Sequence, residues 1–153
     1  MKKLIVAVIL VAASASAFTQ TFEQSIQAYE RKDYVTALAG FKKLAEQGNA
    51  SAQSNLGMMY ANGQGAPKDE QLAVNWFRKA AEQGVAIAQF NLGLMYANGQ
   101  GVPKDEELAY FWWLLSSARG NKSGIRNRDI IEQALTPQQR ASAQLAARTW
   151  KPK

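Results

Sequence analysis

AQSNLGMMYANGQGAPKDEQLAVNW, residues 52–76, returns 36 positions later as AQFNLGLMYANGQGVPKDEELAYFW, residues 88–112. Residues 50–84 aligned with 86–120 give 21 identities in 35 positions. Self-similarity at such a period marks a repeat architecture, in which each copy is one supersecondary unit that buries its apolar face on its neighbours. Each copy reads as a helical hairpin. The first helix is expected from about Ser51 to Ala61, and again from Ile87 to Ala97. Ala52, Leu56 and Tyr60 share one of its faces at i, i+4 and i+8. A glycine-rich loop, residues 62–68, follows. The second helix starts at the N-cap Asp69 and runs to Gln83, with a counterpart from Asp105 to Arg119. Gly84 and Gly120 suit the left-handed position after it. Gly57 and Gly93 remove a side chain where Ala73, Trp76, Phe77 and Ala80, or their counterparts, approach.

The pattern extends outward in both directions. Phe22, Ile26 and Tyr29 lie on one face of an expected helix, Thr21 to Lys32, with Thr21 as its N-cap. A second helix, Tyr34 to Gln47, carries Ala37, Leu38, Phe41, Leu44 and Ala45 and is stopped by Gly48. Ala37, Phe41, Lys43, Glu46, Gln47 and Gly48 align with Ala73, Phe77, Lys79, Glu82, Gln83 and Gly84, again 36 positions on. An earlier, degenerate hairpin therefore precedes the two full copies. After Gly120 a helix is expected from Ser123 to Ala134, with Ile125, Ile130 and Ile131 apolar. Thr136, Pro137 and Gln139 then form a capping box ahead of a last helix ending near Trp150. That helix sits where a cap should close the open end of a solenoid.

The N-terminus belongs to a different category. Lys2 and Lys3, the apolar run from Leu4 to Ala13 and Ala15-Ser16-Ala17 have the order of a secretory signal peptide, expected to be cleaved after Ala17. The apolar run falls short of the roughly 20 residues that span a bilayer, and no cysteine follows it for lipid attachment. A periplasmic or secreted bacterial protein is expected. The organisation is thus 1–17 signal peptide, 18–48 degenerate hairpin, 49–84 and 85–120 full repeats, and 121–153 capping helices.

Composition narrows the chemistry. The chain has no histidine and no cysteine, which removes the commonest general base, thiol nucleophiles and zinc-thiolate sites. No catalytic residue, metal ligand or cofactor site is assigned, and an enzyme is not expected. The formal charge of +6 is unevenly placed. Residues 18–118 carry 8 basic and 10 acidic side chains, whereas 119–153 carry 8 basic and 2 acidic.

Ala52, Leu56, Gly57, Tyr60, Gly63, Gly65, Asp69, Ala73, Trp76, Ala80 and Gly84 together resemble the Sel1-like repeat, a relative of the tetratricopeptide repeat with a longer loop. Ala88, Leu92, Gly93, Tyr96, Gly99, Gly101, Asp105, Ala109, Trp112 and Gly120 carry the second copy, with Ser116 where alanine is expected. The hairpin before residue 50 is closer to a plain tetratricopeptide unit. Residues 128–150 resemble the C-terminal cap of small bacterial members. The resemblance implies an all-α fold, a right-handed α-solenoid of antiparallel helix pairs, and protein–protein or protein–peptide interaction. It names no partner: members of this family span envelope, signalling and secretion roles.

In such repeats the first helix lines the concave face. Ser51, Ser54, Met58, Ala61 and Asn62 lie opposite the Leu56 face, and Ile87, Phe90, Leu94, Ala97 and Asn98 are their equivalents. The copies differ here (Ser51/Ile87, Ser54/Phe90, Met58/Leu94) against a nearly fixed background, as a tailored binding surface would. Ile87, Phe90 and Leu94 make one helix apolar all round, so either the C-terminal helices cover it or a partner does. A second candidate is the basic end, Arg119, Lys122, Arg126, Arg128, Arg140 and Arg148, facing an anionic envelope partner. Salt separates the two, since only the second should weaken steeply with ionic strength. The loops G-Q-G-A-P-K and G-Q-G-V-P-K are not phosphate loops: they join helix to helix and lack Ser or Thr after Lys. Some cysteine-rich members of the family have been proposed to bind or hydrolyse β-lactams, which leaves a penicillin-interactive or hydrolytic enzyme as a remote alternative. The acylating Ser-x-x-Lys motif is absent. No nucleic-acid partner is expected of an exported chain.

Overall fold

A computed structural model describes residues 22–153. The expected signal peptide and the expected N-cap Thr21 lie outside the described residues. Among the latter there are helices and no strands: α1 (22–30), α2 (Tyr34–Glu46), α3 (Ala50–Asn62), α4 (Glu70–Glu82), α5 (Ala86–Asn98), α6 (Glu106–Ala118), α7 (Lys122–Ile131) and α8 (Pro137–Thr149). From α2 to α7 each helix packs on the next in line, and α8 folds back onto α6. The result is a helical solenoid of repeats with a cap.

The 36-residue step runs further than the letters show. Asp33, Asp69 and Asp105 each cap a second helix, accepting from the N–H of Thr36, Leu72 and Leu108 at 3.2, 2.9 and 2.9 Å. Hydrogen bonds from Thr36, the side chain first, hold the Asp33 carboxyl below its usual range. Asn49, Val85 and Asn121 occupy the N-caps of α3, α5 and α7, where the two asparagines bond the N–H of Ala52 and Gly124 at 2.8 Å each. Thus α7 stands as the first helix of a fourth hairpin, which its sequence hides: between Lys122–Ile131 and Ala86–Met95 only Asn127 and Asn91 agree.

Close approach explains the letters that do repeat. A Cβ on Gly93 would come within 2.5 Å of Trp113 Nε1, and that indole donates to the Phe90 carbonyl at 3.0 Å. Gly57 leaves the same room for Phe77. Gly101, at φ +67°, lies against the Glu70 carbonyl, so each G-x-G loop packs on the first turn of the preceding second helix. Lys68 and Lys104 turn to Glu70 and Glu106 at 2.8 Å. The loops are structural braces.

Two apolar clusters hold the stack. Ala28, Ala37, Phe41, Leu44, Ala52, Leu56 and Met59 fill the first, joining α1, α2 and α3. Ala73, Phe77, Ala80, Ala88, Leu92, Trp112 and Leu115 fill the second, joining α4, α5 and α6. Full burial of each large side chain is worth roughly 1.5–3 kcal/mol. Alanines at 0 % exposure let the helices come close. Gln53 and Gln89, both buried, donate to the Ala45 and Ala81 carbonyls at 3.1 Å, tying each repeat to the end of the one before. Gln83 completes the first joint by donating to Gln53 Oε1 at 2.8 Å. Its counterpart Arg119 stacks over Trp150 instead, and Gln89 Oε1 has no partner among the described residues.

The stack ends for a physical reason. At the places of Leu92 and Gly93, α7 has Arg128 and Asp129, paired with each other at 2.6 Å. No ring can pack there as Trp113 packs on Gly93. The last helix turns to α6, where Leu135 and Ala143 bury Tyr110. The Tyr110 hydroxyl donates to Glu132 and accepts from Gln144 at 3.0 Å each, joining α6 to the end of α7 and to α8. Burial pushes this phenol above its ordinary value. Thr136 and Gln139 form the expected capping box. Beyond α8, Lys153 straps back to Glu82 through its N–H and its ammonium, 2.9 Å each.

Candidate functional site

Two successive first helices, α3 and α5, contain no charged residue along 13 positions each. Between them runs an open groove of about 320 Å³. Met58, Ala61 and Asn62 of α3 form one wall, Asn91, Leu94 and Met95 of α5 the other. Phe77 makes part of the floor, and Glu70 and Gln100 stand at the edge. The Asn91 amide is half-buried and makes no hydrogen bond among the described residues, so both its donor and its acceptor are free for a ligand. The site is a mixed trough, in which the amides of Asn62 and Asn91 stand among Met58, Ala61, Phe77, Leu94 and Met95.

The structure divides the expected concave residues. Met58, Asn62 and Leu94 line the groove. Ile87, 43 % exposed, and the half-buried Phe90 lie outside that groove, nearer the start of α5. Ser51 is exposed at the start of α3, where its carbonyl accepts from Asn55 at 2.9 Å. Asn98 is exposed and turns to Gln100 at 3.4 Å. Ser54 is 4 % exposed, inside the packing layer, and presents nothing to a partner. Only the longer side chain at this position, Phe90, reaches solvent. The apolar stripe of α5 is only partly covered: Ile87 stays 43 % exposed and Phe90 and Leu94 half-buried, while α8 packs on α6.

Asn91, Gln100, Glu70 and Phe77 escaped the comparison of the two copies. Asn91 is identical to Asn55, and identity between copies reads as scaffold. Helical arithmetic carried a signal: Asn91 lies four residues after Ile87 and three before Leu94, on the face those residues open to solvent.

The basic end is partly consumed by the fold. Arg119 covers Trp150 and donates to the Leu115 carbonyl at 3.2 Å. Arg128 holds Asp129 and Ser117. Arg140 caps the Glu132 and Leu135 carbonyls at 3.1 and 3.2 Å. Lys122, Arg126 and Arg148 are exposed and make no ion pair among the described residues. A second cleft, of about 430 Å³, opens between α6 and α8 over Leu108, Phe111 and Ala146, with Asp105 and Glu107 at its edge. No described helix is long and apolar enough to cross a membrane.

This arrangement, apolar helix pairs stepping by 36 residues around an open groove, defines a repeat scaffold. The Sel1 repeat family model matches residues 50–85 and 86–121, and the chain is a helical solenoid carrying two Sel1 repeats. Among solved structures it is similar to a protective antigen present in uropathogenic Escherichia coli strains that displays an SLR fold. There the TM-score is 0.83 and the identity 35 %, over 90 % of this chain and 30 % of that one. It is also similar to a Sel1 repeat protein from Oxalobacter formigenes, with a TM-score of 0.67 and 34 % identity over 70 % of this chain and 44 % of that one. The chain thus spans less than half the length of either. No curated protein matches it by sequence. Sel1-repeat proteins generally mediate protein–protein interaction, and the fold is typically a non-enzymatic scaffold.

Proposed function

We propose that the chain is an exported interaction module that holds an extended segment of a partner protein in the groove between α3 and α5. The observation that carries this is the free Asn91 amide, set between Met58, Phe77, Leu94 and Met95. An extended peptide offers one N–H and one C=O per residue, and one side-chain amide can answer both. Alternate side chains of the peptide would then settle on the methionine and leucine surface, which adapts to varied shapes. The trough suits a chain better than a compact ligand, because it stays open along its length.

The test is affinity for peptides selected on the purified protein from a random display library. Asn91→Ala and Leu94→Ser should each weaken binding about tenfold, the worth of a lost hydrogen bond or a buried apolar contact. Leu145→Ser, on the exposed face of α8, should leave it unchanged. Unchanged affinity in both groove variants would overturn the proposal.

Export rests on Lys2, Lys3, the short apolar run and Ala15-Ser16-Ala17. The likeness to a protective antigen supports it. Mass spectrometry of the envelope fraction should find a chain beginning at Phe18; an intact Met1 terminus confined to the cytoplasm would contradict it. An anionic envelope partner for the whole basic end has less support, since Arg119, Arg128 and Arg140 serve the fold. Hydrolysis of a chromogenic β-lactam by the purified protein would reopen the enzymatic alternative.

A further inference from the structure

The register that makes α7 a fourth first helix also decides what its side chains do. Arg126 takes the place of Phe90, Asn127 that of Asn91 and Ile130 that of Leu94, while Lys122 stands one turn before Arg126. Gly124 confirms the phase: it takes the place of Ala52 and Ala88, and a Cβ there would meet Ser116 Oγ at 2.8 Å. The face that is neutral along α3 and α5 therefore continues onto α7 and becomes cationic.

Neither cation is neutralised by its surroundings. Lys122 and Arg126 are exposed and make no ion pair among the described residues. The nearby acids are engaged elsewhere: Asp129 by Arg128 at 2.6 Å, and Glu132 by Tyr110 at 3.0 Å. At the edge of the groove the carboxylate of Glu70 is held by Lys68 at 2.8 Å. Along the way Ile130 is 64 % exposed, an apolar surface continuous in register with Leu94 and Met58.

We infer that the groove recognises an acidic segment in a fixed direction. Apolar residues of the partner lie on Met58 and Leu94, and Asp or Glu side chains just beyond them meet Arg126 and Lys122. This rests on the groove reading above and adds the chemistry of the partner and its orientation. Exposed ion pairs are worth about 0.2–1 kcal/mol each. Two of them give about a five- to tenfold preference and, chiefly, selectivity against basic segments.

The test uses a random peptide library displayed within a loop of a carrier, so that no terminal carboxylate is present. It is selected in parallel on the wild-type protein and on the Lys122→Gln/Arg126→Gln variant, whose changes lie on an exposed face. Peptides selected on the wild type should carry apolar residues in one half and Asp or Glu in the other, always in the same order. Raising NaCl to 0.5 M should weaken them about five- to tenfold. The variant should keep the apolar preference and lose both the acidic preference and the salt dependence. An apolar preference alone on the wild type, or an acidic preference that survives in the variant, would overturn this inference and leave the groove reading standing. Selection only from a library with free C-termini would overturn it in favour of a terminal carboxylate. No selection from either library would remove the groove reading with it.

Discussion

Gly93 and Tyr110 show how single residues separate scaffold from surface. At Gly93 a methyl group has nowhere to go, because Trp113 is anchored to the Phe90 carbonyl. Gly93→Ala should destabilise the protein by about 1–3 kcal/mol, the usual cost of overpacking, measured as a fall in the urea midpoint. Tyr110 replaces Val74 of the previous repeat and links three helices. Tyr110→Phe should cost about 1–2 kcal/mol by stranding Glu132 and Gln144. Since burial raises the phenol above its ordinary value of 10.0, the fold favours the neutral form. Its contribution is whole below pH 10 and is lost as pH rises through the raised value. The urea midpoint of the wild type should therefore fall more between pH 9 and 11.5 than that of Tyr110→Phe; equal slopes would count against this role. The spacing of Gly93 was readable in the sequence beforehand. The polar link at Tyr110 was not, because Glu132 and Gln144 lie 22 and 34 residues away and nothing local points to them.

Among elements, the second helices were the easiest to read. Asp69 and Asp105 announce them, and each accepts a backbone N–H at 2.9 Å. Asp69→Ala and Asp105→Ala should each cost about 1 kcal/mol of stability and leave peptide affinity unchanged, as caps rather than ligands. A loss of binding without loss of stability would assign them to the site instead. The harder element was α7. A helix was expected there, but its standing as a fourth first helix rests on Asn121, Gly124 and Asn127, three letters in a segment otherwise rewritten. The rewriting has a physical setting: the helix that follows α7 packs on α6, and Arg128 and Asp129 stand where Leu92 and Gly93 receive a second helix. In the same way Phe90 marked an open position, but Ser54, its equivalent, is shut inside the packing layer. Comparing copies finds where a surface varies. It does not find Asn91, which is identical to Asn55 although Asn55 turns its amide to the Ser51 carbonyl at 2.9 Å.

For the molecule as a whole, first and second helices alternate along the stack, α8 packs on α6, and Lys153 straps back to Glu82 of α4. The first helices are uncharged at α3 and α5 and carry cations at α7. The proposed division of labour is that recognition belongs to the groove between α3 and α5, and stability to the buried clusters and the cap. Its most direct test is an amide NMR titration of the purified protein with a selected peptide. Shifts should concentrate at Met58, Asn62, Asn91, Leu94 and Arg126. Shifts confined instead to α6 and α8, with the groove amides unmoved, would contradict it.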